Sequence, residues 1–203
     1  MKKGFFKSYQ VKRKLLHIIF GCFFVWFINL DYFVIKEQLE VLIVAFIALS
    51  LIVSIYIRYK RPKFLLKVIS HFDKPRDMLK FPMRGSIYYL IGVLMSIAFF
   101  SRKIASASIL ILVIGDPAAF FFGNYYGKKR LLINRRKLLE GTIAGVIFGT
   151  FAASIFVSWP IAFFGAAFGM IAEAIELKLF NLDDNFSIPF VSGLTMTLLQ
   201  SLV

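Results

Sequence analysis

The sequence predicts an all-α fold: a polytopic integral membrane protein with about seven transmembrane helices and its N-terminus in the cytoplasm. Three observations carry this. Of 203 residues 59% are hydrophobic and the mean hydropathy is +0.77, more apolar surface than a soluble domain of this length hides. The apolar residues come in runs approaching the roughly 17–25 positions that a bilayer-crossing helix needs. The cations, which bring the net charge to +14, lie in short blocks between those runs. Such blocks mark loops that stay on the cytoplasmic side and meet anionic headgroups, a distribution that argues against a nucleic-acid partner.

Taken in order, residues 1–14 hold six cations and no acid. The first span, about 15–30, has no small-residue cleavage site after it and reads as a retained helix. Its Cys22 is the only cysteine, which excludes a disulfide framework and a thiolate metal site. The second span, about 39–57, leads into the basic segment 58–84, where nine cations face Asp73 and Asp77. There Phe64, Leu65, Val68, Ile69 and Phe72 recur at helical spacing, the pattern of an amphipathic helix lying on the cytoplasmic interface, with His71 an interfacial residue. Spans three and four, about 86–100 and 104–123, are separated only by a short turn with Arg102 and Lys103. The basic loop 124–140 carries six cations against Glu140. Spans five to seven, about 141–158, 160–177 and 186–202, complete a single membrane domain over 1–203. Gly141, Gly145 and Gly149, and again Gly165 and Gly169, repeat every fourth residue, so spans five and six are expected to pack closely through them. The charge alternation places the N-terminus inside and the C-terminus outside.

That orientation brings the unusual polar groups to one face. Asp116 falls in the inner half of span four, Glu173 and Glu176 at the inner end of span six, and Asp183, Asp184 and Asn185 in the loop that follows. His17 starts span one on the same side. An ionised Asp within a span costs at least roughly 2.5–3.5 kcal/mol on insertion scales, so it is expected to face a polar cavity with a partner. Pro117 disturbs the helix beside it, and Gly123 and Gly127 leave room for a ligand near the backbone. Lys128, Lys129, Arg130, Arg135, Arg136 and Lys137 then form a cationic cluster, and Glu140 returns a carboxylate just before Gly141. Carboxylates beside such a cluster suit a magnesium–polyphosphate ligand. "GNYYGKK", which includes Asn124, is not a Walker A loop: three residues separate its glycines, and no Ser or Thr follows the lysine. No protein-kinase motif is present.

The central spacing resembles that of the CTP-dependent lipid kinases (dolichol kinase, phytol kinase and CTP-dependent diacylglycerol kinase). Their pattern is D-x-x-A-x-x-x-G-x-x-x-G, eight residues, then K-K-T-x-E-G. Here it reads Asp116, Ala119, Gly123, Gly127, residues 128–135, then Arg136, Lys137, Leu138, Leu139, Glu140 and Gly141. Arg136 keeps the charge of the first lysine, whereas Leu138 lacks the threonine hydroxyl. Flanking segments are also similar: Arg13, Lys14, His17 and Gly21; Gly85, Tyr88 and Tyr89; and Glu173, Asp184, Asn185 and Pro189. The resemblance implies phosphoryl transfer from CTP to a membrane lipid alcohol: dolichol or polyprenol, another isoprenoid alcohol, or diacylglycerol. On that basis Asp116, with Glu140 or Asp184, is expected to hold Mg²⁺. Gly123, Asn124, Gly127, Lys128, Arg136, Lys137, Glu140 and Gly141 are expected to bind the nucleotide, and Glu173, with His17 as the alternative, to take the alcohol's proton. A looser likeness to phosphatidate cytidylyltransferase gives the alternative of a CDP-lipid synthase. The non-enzymatic alternative, a small transporter or lipid-binding membrane protein, lacks the internal repeat that transporters often show.

Overall fold

The computed structural model describes residues 8–30, 32–73, 75–135, 137–175 and 183–202, and each of the seven apolar stretches is helical in it. The long helices are α1 (Ser8–Ile28), α2 (Tyr32–Lys60), α5 (Arg84–Phe99), a rod of α6 (Arg102–Leu110) and α7 (Asp116–Tyr126), α8 (Leu139–Ala153), α9 (Trp159–Ile175) and α10 (Asp184–Gln200). Among the described residues two segments, Lys36–Lys60 and Arg102–Tyr126, are long and apolar enough to cross a membrane, and α5, α8 and α9 are shorter apolar helices.

The rod is the axis of the bundle. Its apolar window is 72% buried, against 17% for that of α2, which lies at the periphery. Small buried residues, Ala105, Ser106, Ala107 and Ser108, let neighbouring helices close on it. Their hydroxyls are satisfied locally: Ser108 Oγ donates to the Ala105 carbonyl at 2.9 Å, and Asn29 Nδ2 donates to Ser106 Oγ at 2.9 Å. Ile28, Leu39, Ile43, Val93, Ile97, Ile111 and Met196 fill the space around it.

Between α6 and α7 the backbone widens into one π-helical turn, Ile111–Gly115. Pro117 sits in the first turn of α7 and has no N–H to continue the regular ladder, so the widened turn ends at Asp116.

The basic segment after α2 departs from expectation. Instead of one amphipathic helix it forms two short ones, α3 (Lys63–Ile69) and α4 (Pro75–Lys80). His71 helps to end α3 by placing Nδ1 2.7 Å from the Lys67 carbonyl. Met83 adopts a left-handed φ of 61° and donates its N–H to Asp73 Oδ2 at 2.8 Å, which fixes the chain's entry into α5.

The glycine stripes make the expected contact of spans five and six, at Gly145 and Gly149, but they also pack on other helices. A Cβ at Gly141 would meet the Ala119 carbonyl at 2.6 Å, and one at Gly149 would lie 3.5 Å from Ile111, so this stripe faces the axial rod. It meets α9 on the same side, through Met170 and Ala166. Gly165 and Gly169 face α10, at Met196 and Ser192. The rod, rather than α9 alone, receives the first stripe because its own small residues, Gly115, Ala119 and Gly123, complete the close approach.

Candidate active site

The polar side chains of five chain segments meet at one end of the bundle. On α1, Lys14 donates to the carboxylate of Asp116, and the two side chains are only 8% and 4% exposed. The first turn of α7 delivers Asp116 there from the rod. Lys137, on the loop between α7 and α8, pairs with Glu173 of α9 and donates to Asp184 Oδ2 of α10 at 3.3 Å. These five residues, with Arg13, Gln10 and Asn124, line a polar cavity of about 310 Å³.

The α7–α8 loop is folded back so that Lys137 points inward. Leu131 N–H donates to the Lys137 carbonyl at 3.0 Å, and Leu139 N–H donates to the Lys129 carbonyl at 2.9 Å. Glu140 accepts the Lys129 N–H at 3.0 and 3.2 Å through its two oxygens. The N–H groups of Glu140 itself, then of Lys129 and Lys128, hold its carboxyl below the usual range. Lys137 shows the opposite balance. Burial disfavours its ammonium, but Glu173 and Asp184 outweigh that cost and raise its pKa above the ordinary lysine value.

Asp116, Glu173, Asp184, Lys137, Asn124, Gly123 and Gly141 thus share one cavity. Other expected residues do not line it. Glu140 is engaged with the loop backbone rather than with Asp116 and Asp184. Lys128 is exposed on the loop. Gly127 packs on Leu138 at the end of α7. Asn185 Nδ2 donates to the Gly85 carbonyl at 3.0 Å, tying α10 to α5. His17 stacks on Tyr89, with ring centroids 4.5 Å apart, and lines a neighbouring apolar cavity. Arg136 and Glu176 lie outside the described residues.

Lys14 and Arg13 were given no role from sequence. Their signal was a basic pair placed immediately before an apolar span, on the same predicted face as Asp116. The pair also matches the flanking Arg-Lys…His segment of the lipid kinases, but only the fold names its partner.

An apolar helical bundle with buried carboxylates and lysines around an end cavity defines a class of site suited to anionic ligands. Comparison with known proteins narrows the class. The CTP-dependent diacylglycerol kinase 1 of Eremothecium gossypii is 28% identical over 138 residues, covering 55% of this chain and 43% of that protein. The chain thus spans less than half of that relative. The CTP-dependent diacylglycerol kinase 1 of Schizosaccharomyces pombe is 26% identical, with 96% of this chain and 95% of that protein covered. A probable phytol kinase 2, chloroplastic, of Oryza sativa subsp. japonica is 28% identical, with 97% and 68% covered. No protein-family model matches the chain, and no solved structure does. These homologues support the CTP-dependent lipid kinase family, and with it a phosphotransferase that uses an alcohol acceptor.

Proposed function

We propose that this chain is a CTP-dependent kinase of a membrane lipid alcohol, either an isoprenoid alcohol or diacylglycerol, that works as an integral membrane protein with its site on the cytoplasmic face. The observation that carries the reading is the polar cavity where Lys14 and Lys137 face Asp116, Glu173 and Asp184. Phosphoryl transfer asks for little covalent help from the protein; positioning and charge neutralisation do most of the work. Two lysines poised over a carboxylate floor supply both.

In this reading the triphosphate enters between the lysines and the carboxylates and exchanges internal ion pairs for pairs to its own oxygens. Lys137 turns to the γ-phosphate, which frees Glu173 from its ammonium partner. The acceptor's hydroxyl oxygen then bonds to the γ-phosphorus. The bond from that phosphorus to the β–γ bridging oxygen breaks, and CDP leaves with the electron pair. The hydroxyl proton passes to Glu173 and from there to water, so the products are a lipid monophosphate, CDP and a proton. Glu173 suits this role because it lines the polar cavity, whereas His17 lies on the apolar side.

Magnesium uses one or two carboxylates together with phosphates and water. Asp116 and Asp184, which both line the cavity, offer two hard oxygen donors. Among the described residues no group of three or more His, Cys, Asp or Glu forms a protein cage for a metal. Bound there, the ion would neutralise charge on the β- and γ-phosphates.

The test uses membranes containing the protein, γ-labelled CTP and separate samples of polyprenol, a shorter isoprenoid alcohol and diacylglycerol. A labelled lipid phosphate from one of them is the expected result. A labelled CDP-lipid formed instead from α-labelled CTP and phosphatidate would replace the kinase with a cytidylyltransferase. No product in either assay, from folded protein, would overturn both enzymes.

A further inference from the structure

A second cavity, of about 400 Å³, lies beside the polar one, and Arg13 lines both. Its walls come from α1, α2 and α5, with Phe72 closing one side, and they are almost wholly apolar: Leu16, Phe24, Phe46 and Leu90 are typical. That volume falls within the roughly 300–1,000 Å³ of small-molecule sites. Its rim is formed by side chains that face outward from the bundle, Phe20 at 51% exposure, Leu42 at 43% and Phe46 at 47%. The cavity therefore opens sideways, at the surface that a bilayer would cover.

The wall between the cavities is polar in one respect. Among the described residues, Arg13 Nε and Nη1 find no hydrogen-bond partner in their buried place there. A buried guanidinium left with unused donors is costly, and its planar fork matches phosphate oxygens. Nη1 also stands beside Gly85, where a Cβ would approach it to 3.4 Å, so α5 leaves the fork room.

Resting on the kinase reading, we propose that the apolar cavity of α1, α2 and α5 holds the hydrocarbon chain of the lipid alcohol, entering sideways from the bilayer, and that Arg13 on the shared wall positions the phosphoryl group where hydroxyl and nucleotide meet. Affinity does not come from removing the tail from water, since bilayer and cavity are both apolar. The cavity's contribution is shape and direction: it threads the chain so that the hydroxyl end reaches Arg13. Arg13 acts as a positioning residue.

Two measurements test this. A lipid alcohol carrying a photoreactive diazirine a few carbons from its hydroxyl is irradiated with the membrane-embedded protein, and the labelled peptides are identified. Label on the segments of α1, α2 and α5 that line the cavity, displaced by excess unlabelled alcohol but not by phosphatidylcholine, is expected. Label spread evenly over all outward-facing helices, with no displacement by the alcohol, overturns the proposal. In parallel, Leu42→Trp and Leu90→Trp, which narrow the cavity from its α2 and α5 walls, should raise KM for the alcohol by about tenfold, the usual scale for excluding a group from an apolar pocket. KM for CTP should stay within about twofold of wild type. An unchanged alcohol KM in both active variants also overturns it. Absence of any lipid phosphate from wild-type protein is a different failure, that of the kinase reading, and the photolabelling still decides the cavity's occupant.

Discussion

Lys14 and Asp116 form a buried pair that bears on stability and, under the proposed function, on chemistry. Each is buried, and each neutralises the other across two helices. Removing one partner from a buried pair leaves an uncompensated charge and costs about 3–5 kcal/mol, whereas replacing both with apolar residues is often neutral. Lys14→Met should therefore lower thermal stability in detergent markedly, and Lys14→Met with Asp116→Leu should recover most of it. Neither variant should make lipid phosphate. Asp116→Asn should cut turnover by at least about 10²–10³-fold while the protein still inserts; near-full activity would remove Asp116 from the site. Lys137 gives a pH prediction. Its pKa is raised, so its ion-pair stabilisation is fully present below the ordinary lysine value of 10.5 and is lost as pH rises through the raised one. The stability gap between wild type and Lys137→Met should hold between about pH 9 and pH 10 and shrink above that. A gap that closes within that window would show that the pair is not buried as described. Asp116 and Lys137 were both legible in the sequence, as an acid in an apolar run and a cation at a motif position. Lys14 was not, because its partner stands 102 residues away.

Among the elements, α7 and α8 approach each other closely beside the site. Gly123 and Gly141 face each other, yet a Cβ at Gly123 would clear Gly141 Cα by 3.4 Å, whereas one at Gly141 would press on the Ala119 carbonyl at 2.6 Å. Gly141→Ala should then cost about 1–3 kcal/mol by overpacking and disturb activity, and Gly123→Ala should be much milder. Equal losses, measured as melting temperatures of the purified variants, would refute this ordering. The existence of the seven long helices was readable from apolar runs and turns. The choice of neighbours was not: the spacing of Gly141, Gly145 and Gly149 announces a close contact but does not say with which helix. The split of the basic segment into α3 and α4 was likewise hidden, because its apolar spacing continues across the break that Ser70, His71 and Asp73 introduce.

At the scale of the whole molecule, the site lies at the end reached by the start of α1, the end of the α6–α7 rod, the α7–α8 loop, the end of α9 and the start of α10. The α5–α6 and α8–α9 turns lie at the opposite ends of those helices. If the bundle spans a bilayer as proposed, a cysteine at Leu132, which is 98% exposed on the α7–α8 loop, should react with an impermeant maleimide from one side only. A cysteine at Ser101 should react only from the other. The native Cys22, exposed on α1, should stay unlabelled in sealed vesicles and react after detergent extraction. Labelling of both engineered positions from the same side would sink the spanning arrangement.

From the sequence alone came the helical class, the order of the apolar helices, and the gathering of acids and cations at one end. Those properties depend on composition and local periodicity, which each segment carries by itself. Only the tertiary structure decided which charges meet. It pairs Asp116 with Lys14 and Lys137 with Glu173, turns Glu140 to the loop backbone, moves His17 to an apolar cavity and sets Arg13 between two chambers. Pairing across helices is settled by packing, because a buried charge accepts whichever partner the close-packed bundle brings within reach.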